Sequence, residues 1–312
     1  AYNAGKVRNK GWEFFTNANI IQRSDLFLSV NFNISRNINT FIEFPENFEN
    51  EKDIDVRNGD FPRRADEGVP VGSFYGFRYL GVWPSDDEVV STDANGKPLL
   101  DVKGNPVPLS YKEEYEFEGG DAKYYDVNHD GKIDILDAIY LGDSNPDFIG
   151  GFGFNFGWKN FDLSSQFFFR TGYQIVNEVA LNTEGMLNKD NQSKAVLRRW
   201  RKQGMDEENL LPRAYLFHPA NNLGSDRYVE DGDFLRLNNL TLSYRLDKDF
   251  VQRFGLNTFQ VSLNMRKIAT FTNYTGQDPE VSQSGSDPFW FGTDNARTPP
   301  SRSYTLSVNV RF

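Results

Sequence analysis

The sequence predicts an all-β protein, a large antiparallel transmembrane β-barrel with long extracellular loops. Three observations carry that expectation. Segments of the chain alternate apolar with small polar side chains at period two. The clearest is the last, where Tyr304, Leu306, Val308, Val310 and Phe312 alternate with Ser303, Thr305, Ser307, Asn309 and Arg311. The chain holds 28 Phe, 14 Tyr and 5 Trp; alone this suits a soluble β-rich protein, and it also suits aromatic girdles at two membrane interfaces. Finally, the connections alternate short and long, as they do between the periplasmic and extracellular ends of membrane barrels.

Composition narrows the alternatives. No stretch approaches the roughly 18 apolar residues of a membrane helix, which excludes a helical membrane protein. A barrel remains open, because its strands interleave lipid-facing and lumen-facing residues. A formal charge of -10 argues against a nucleic-acid surface. Cysteine is absent, so thiolate zinc sites and Cys nucleophiles are out. The two histidines, His129 and His218, lie far apart in the chain, so no His-based triad or metal cluster is expected. The opening residues AYNAGKVRNKGWEFF lack the apolar core and cleavage pattern of a signal peptide; the expectation is a fragment whose preceding portion is missing.

In order, the first two strands are expected over Lys10–Asn19 and Asp25–Arg36, joined by a short link. In the second, Leu26, Leu28, Val30, Phe32 and Ile34 alternate with Phe27, Ser29, Asn31, Asn33 and Ser35. From Asn37 to Asn145 breakers such as Asn58-Gly59 and Asn95-Gly96 dominate, which points to functional loops. Gly151–Trp158 and Phe161–Tyr173 then form a hairpin about Lys159-Asn160. Residues Ile175–Trp200 have helical character, with Val196, Leu197 and Trp200 at helical spacing. Strands follow over Asp233–Leu246 and Asn257–Thr272, and the last over Arg302–Phe312. Seven crossings fit alternating directions, with extracellular loops at 37–145, 174–232 and 273–300. An eighth would break that parity, so the aromatic patch Phe74–Trp83 belongs among the loops.

One segment carries recognisable chemistry. Asp126-Val-Asn128-His-Asp130-Gly131-Lys132-Ile133-Asp134-Ile-Leu-Asp137 fits the calcium-loop pattern: oxygen ligands at positions 1, 3 and 5, glycine at 6, a backbone carbonyl at 7, and acids at 9 and 12. The expected metal ligands are Asp126, Asn128, Asp130, Lys132 through its carbonyl, Asp134 and Asp137, holding a structural Ca2+. Ile133 is placed to tuck the loop onto a core. The last acid is Asp rather than Glu, as in the shorter loops of dockerin-type modules; an Asp/Asn-rich turn without metal is the alternative. Tyr75, Tyr79, Trp83, Trp290 and Phe291 are candidate ligand or lid contacts, or else loop packing. Arg198, Arg199, Arg201 and Lys202 around Trp200 read as a solvated face. The acid pairs Asp86-Asp87 and Glu113-Glu114 lack the cleft a glycosidase would need; no catalytic residue or enzymatic activity is expected.

An ordered set of stretches spanning nearly the whole chain resembles the SusC/RagA family of TonB-linked outer-membrane transporters. These are Asn9-Lys10-Gly11-Trp12-Glu13, Gly68 to Phe77, Gly81-Val82-Trp83, Asp126 to Asp137, Leu141-Gly142-Asp143 with Pro146-Asp147-Phe148, Lys159 to Leu163, Ser225 to Leu246 (SDRYVEDGDFLRLNNLTLSYRL) and Asp278-Pro279-Glu280. The resemblance implies the C-terminal part of a barrel of about 22 strands with a plugged lumen, the plug and TonB-contacting segment preceding residue 1. It further implies the cell outer membrane and its lipid, a SusD-like surface lipoprotein as partner, and TonB-driven import of a glycan or peptide. An outer-membrane binding or assembly scaffold without transport is the alternative.

Overall fold

A computed structural model of the chain describes residues 6–43, 61, 66–206, 208, 210–280 and 292–312. Its main feature is a seven-stranded antiparallel sheet in which each strand pairs with its neighbours in chain order. The strands are β1 (Lys6–Gln22), β2 (Leu26–Glu43), β3 (Phe148–Trp158), β4 (Phe161–Thr171), β5 (Phe234–Arg245), β6 (Thr258–Thr272) and β7 (Ser303–Arg311). The expected parity is found: the segments Ser73–Gly76 and Tyr79–Val82 form small ribbons off this sheet.

Register makes the two faces chemically distinct. Across all seven strands, one row reads Ala18, Val30, Phe154, Ser165, Leu240, Met265, Tyr304, and the next, on the opposite face, reads Asn17, Asn31, Gly153, Gln166, Asn239, Arg266, Ser303. The first face is called outer here, the second inner. Aromatic pairs populate the outer face: Phe152 stacks on Phe167 at 4.7 Å, and Phe161 meets Tyr244 at 4.5 Å. Inner side chains bond one another instead, as in Asn264 Nδ2 to Thr241 Oγ1 (2.8 Å) and Ser243 Oγ to Ser262 Oγ (2.9 Å). The inner side of β3 is mostly glycine because neighbours fill that space. A Cβ on Gly157 would fall 1.8 Å from the Phe27 ring.

Strict pairing is interrupted at a few places, one of which re-aims a functional side chain. Pairing of β4 with β5 steps from Gln166↔Asn239 to Phe167↔Leu237, leaving Asn238 as an extra residue. Such a bulge reverses side-chain parity along its strand. Leu235 and Leu237 therefore join Leu240, Leu242 and Tyr244 outside, while Phe234 and Arg236 face inward with Asn239. Unbroken alternation from Leu240, Leu242 and Tyr244 would put Phe234 on their face; the structure places it on the other.

Strand lengths also exceed expectation. β1 begins at Lys6 rather than Lys10, and β2 runs to Glu43 rather than Arg36, so the first long loop starts later than residue 37. At about 3.3 Å per residue such strands outreach an apolar band about 25 Å tall. Beyond the band, pairing continues with no need for outward residues to be apolar. The apparent end at Arg36 marked the end of the apolar band, not of the strand. The stretch Ile175–Trp200 is also less helical than its spacing suggests. It comprises a strand (Gln174–Asn177), the helix α1 (Glu178–Glu184) and a 3-10 turn (Lys194–Arg198). Trp200 lies beyond that turn, its indole donating to the Pro84 carbonyl at 3.1 Å.

Short connections gather at one end of the sheet: Arg23–Asp25, the two-residue turn Lys159-Asn160, and the segment holding the short helix α2 (Lys248–Gln252). Long connections gather at the other and fold into a cap. Its core packs Phe77, Trp83, Leu109, Phe117, Tyr124, Ile133 and Leu223, drawn from residues far apart in the chain. A second cluster joins Phe74, Val176, Leu181 and Tyr228. The cap is stitched to the top of the wall: Asn39, an inner-face residue, accepts from the Val71 amide (2.8 Å) and donates to Asn145 (3.0 Å). Among the described residues no helix is long and apolar enough to cross a membrane.

Candidate functional site

The 126–137 loop forms one edge of the cap core. Gly131, at φ +86°, makes the turn that brings its amide onto Asp126 Oδ2 at 2.9 Å. The following Lys132-Ile133 pairs in parallel with Ser110-Tyr111, and Ile133 is fully buried in the core. Asn128 Oδ1 accepts from Asp130 N (3.1 Å) and Asp130 Oδ1 from Lys132 N (3.0 Å). Asp134 caps the turn Ile135–Asp137. Asp137 is fully buried and accepts from Val127 N (2.8 Å) and Asp134 N (2.9 Å). Burial pushes its carboxyl up to about 6, against the pull of those amides, and the nearby Asp126 charge pushes the same way. Two acids thus share a poorly solvated turn.

Asp126 Oδ1 is buried and has no hydrogen-bond partner. A buried carboxylate oxygen without a donor is costly, and a hard cation is the partner that calcium-loop chemistry supplies. Among the described residues no three acidic or histidine side chains already converge on one point; Asn128 and the Lys132 carbonyl would complete an oxygen set. The donor types fit Ca2+.

The aromatic candidates fare differently. Tyr75 and Trp83 are 6% and 5% exposed, and so are not surface contacts. Segment 73–83 pairs with Ala122–Tyr124 and Ile139–Asp143, which covers it. Tyr79 donates to the Leu210 carbonyl at 3.4 Å, and burial raises its hydroxyl pKa. Trp83 carries Lys123 over its ring at 4.2 Å. Trp290 and Phe291 lie outside the described residues. Glu113 pairs with Lys132, and Asp86 accepts from Gly119 N at 2.7 Å, so one acid of each pair serves as a structural fastening.

Sequence reading missed a fully buried and heavily engaged charge. Arg236, 1% exposed on the inner face of β5, donates Nη2 to Asp278 Oδ1 at 2.5 Å, Nη1 to Glu280, and Nε to Thr270 Oγ1 at 2.9 Å. Arg170 approaches Glu280 at 3.8 Å, and Tyr173 donates to the Pro279 carbonyl at 3.2 Å. The segment Asp278–Glu280 is thereby clamped against the inner wall. The signal that could have found it is an arginine within an apolar strand, together with two acids spaced one residue apart.

No family model matches the chain. Over 99% of its length it is 29% identical to TonB-dependent receptor P3 of Formosa agariphila and 24% identical to TonB-dependent receptor SusC of Bacteroides thetaiotaomicron, covering 29% and 27% of those proteins. The chain thus spans under a third of the curated relatives it matches. The solved structure of the RagAB peptide transporter superposes over 99% of this chain and 30% of that one, with a TM-score of 0.69 at 20% identity; an open-open state of the RagAB peptide importer gives 0.64. These likenesses establish the fold. The relatives are receptors, not enzymes. Over essentially its whole length the chain is homologous to the TonB-dependent receptors, SusC among them.

Proposed function

We propose that the protein carrying this chain imports nutrients across the outer membrane, with energy from TonB and with a SusD-like surface lipoprotein over the cap. The observation that carries this reading is the two-faced wall, with apolar rows outside, amide and hydroxyl rows inside, and the described parts of the long connections gathered at one end. Lipid requires closed hydrogen bonding and an apolar exterior; the wall presents the apolar exterior and an unbroken run of seven paired strands, with β1 and β7 as its edges. The relatives' names supply TonB and the receptor role, and that of RagAB supplies a peptide as one class of cargo; a glycan is the other class considered. The test compares uptake of labelled oligopeptide and oligosaccharide by cells with the intact protein, with and without TonB. TonB-dependent accumulation is expected. Accumulation unchanged by TonB loss would refute transport and leave a binding or assembly scaffold.

Within the cap, the 126–137 loop is proposed to hold a structural Ca2+ through Asp126, Asn128, Asp130, the Lys132 carbonyl, Asp134 and Asp137. The unpartnered Asp126 oxygen supports it. Bound there, the ion would supply charge neutralisation. The chain's own part is to fix the turn that seats Ile133 in the cap core.

A further inference from the structure

A polar cavity of about 330 Å³ opens beside the Arg236 clamp, lined by Arg236, Lys267, Arg302, Thr270, Thr272 and Asp278 among others. Three cations therefore face one carboxylate, in a chain whose formal charge is -10. Arg236 is neutralised by Asp278 and Glu280. Lys267 and Arg302 are exposed, and neither has an acidic partner among the described residues.

The position of Lys267 is built rather than incidental. Pairing of β5 with β6 steps from Leu237↔Ala269 to Asn239↔Arg266, so Lys267 and Ile268 together face the extra residue Asn238. Lys267 takes φ +51° there, a left-handed conformation uncommon for a lysine. In plain alternation residue 267 would share the outer face of Met265 and Ala269. At the bulge it instead lines a cavity with the inward-facing Arg236 and Thr270, and bulges are known to re-aim side chains in this way.

We propose that this cavity is a subsite for a single carboxylate group on cargo, bound between Lys267 and Arg302 on the inner wall. This deepens the import reading and rests on it only for the identity of the ligand as cargo. A carboxylate could come from the C-terminus of a peptide or from a uronic acid. The geometry offers both the same two donors.

The test uses the intact protein in detergent, with four probes: acetylated trialanine, its C-terminal amide, galacturonate and galactose. Binding is followed by calorimetry or ligand-observed NMR. Each carboxylate probe is expected to bind at least about tenfold tighter than its neutral counterpart, the worth of a charge-assisted hydrogen bond. The Lys267→Gln/Arg302→Gln double variant should abolish that difference while keeping heat-modifiable migration in gels, the sign of an intact barrel. Stronger binding of the peptide acid or of the uronate names the source. Equal binding of acid and amide, or a double variant that keeps the preference, overturns the proposal. A protein that shows the preference but no TonB-dependent uptake would sink the transport reading and leave the subsite standing.

Discussion

Replacing Arg236 with Met should release the 272–280 segment from the inner wall. The side chain is 2% exposed and its partner Asp278 9%, so truncation leaves a carboxylate buried without its counter-charge. Breaking a buried pair from one side costs about 3–5 kcal/mol. Glu280 is 28% exposed and recovers water, so about 3 kcal/mol is the better figure. At about 1.4 kcal/mol per decade, local opening of the segment should rise by about a hundredfold. Hydrogen exchange with mass spectrometry on the intact protein reads this directly. The reporting amides are Tyr274 (to Thr272 Oγ1, 3.1 Å), Thr275 (to Glu230, 2.8 Å) and Glu280 (to Asp278 Oδ1, 2.9 Å). The triple variant Arg236→Met/Asp278→Asn/Glu280→Gln should regain most protection, since removing both sides of an ion pair is far milder than removing one. Unchanged protection in Arg236→Met would refute the clamp.

Three further outcomes are expected. Asp126→Asn should weaken Ca2+ binding by about tenfold or more, since affinity follows ligand charge, whereas Lys132→Ala, which keeps the main-chain carbonyl, should not; terbium luminescence on the intact protein distinguishes them. Deleting Asn238 should abolish heat-modifiable migration, because parity would flip for Phe234–Leu237, pulling Arg236 out of its clamp and turning it toward lipid at up to about 2–4 kcal/mol; a barrel that migrates normally after the deletion would contradict the bulge assignment. Trp83→Ala should destabilise the cap by about 3–5 kcal/mol, as aromatic truncation in a core does, and lower its melting temperature; an unchanged melt with altered ligand affinity would return Trp83 to the role of a surface contact.

What could be read from the sequence follows the range of the interaction concerned. The last strand was legible because each residue declares its face by its own polarity, and the wall strands Gly151–Trp158 and Phe161–Tyr173 were legible for the same reason. The turn at Gly131 and the burial of Ile133 were legible because the loop pattern is local. The inward turn of Phe234 and Arg236 was not, since a bulge at Asn238 exists only relative to Gln166 and Phe167 on the partner strand. The burial of Tyr75 and Trp83 was also hidden, because the residues that cover them come from distant segments. Tyr79, for one, is fixed by Asp226, 147 positions away. Arg236 escaped notice because its two acids lie beyond the next strand, in a loop that looked merely polar.

The seven-stranded wall is a single layer. In the described residues no hydrophobic cluster covers its outer face, so in the proposed outer-membrane setting the surrounding fluid would serve as its missing half. Changing the acyl-chain length of that fluid should then act on this protein as repacking a core acts on a globular one, while leaving the cap, which has an interior of its own, untouched.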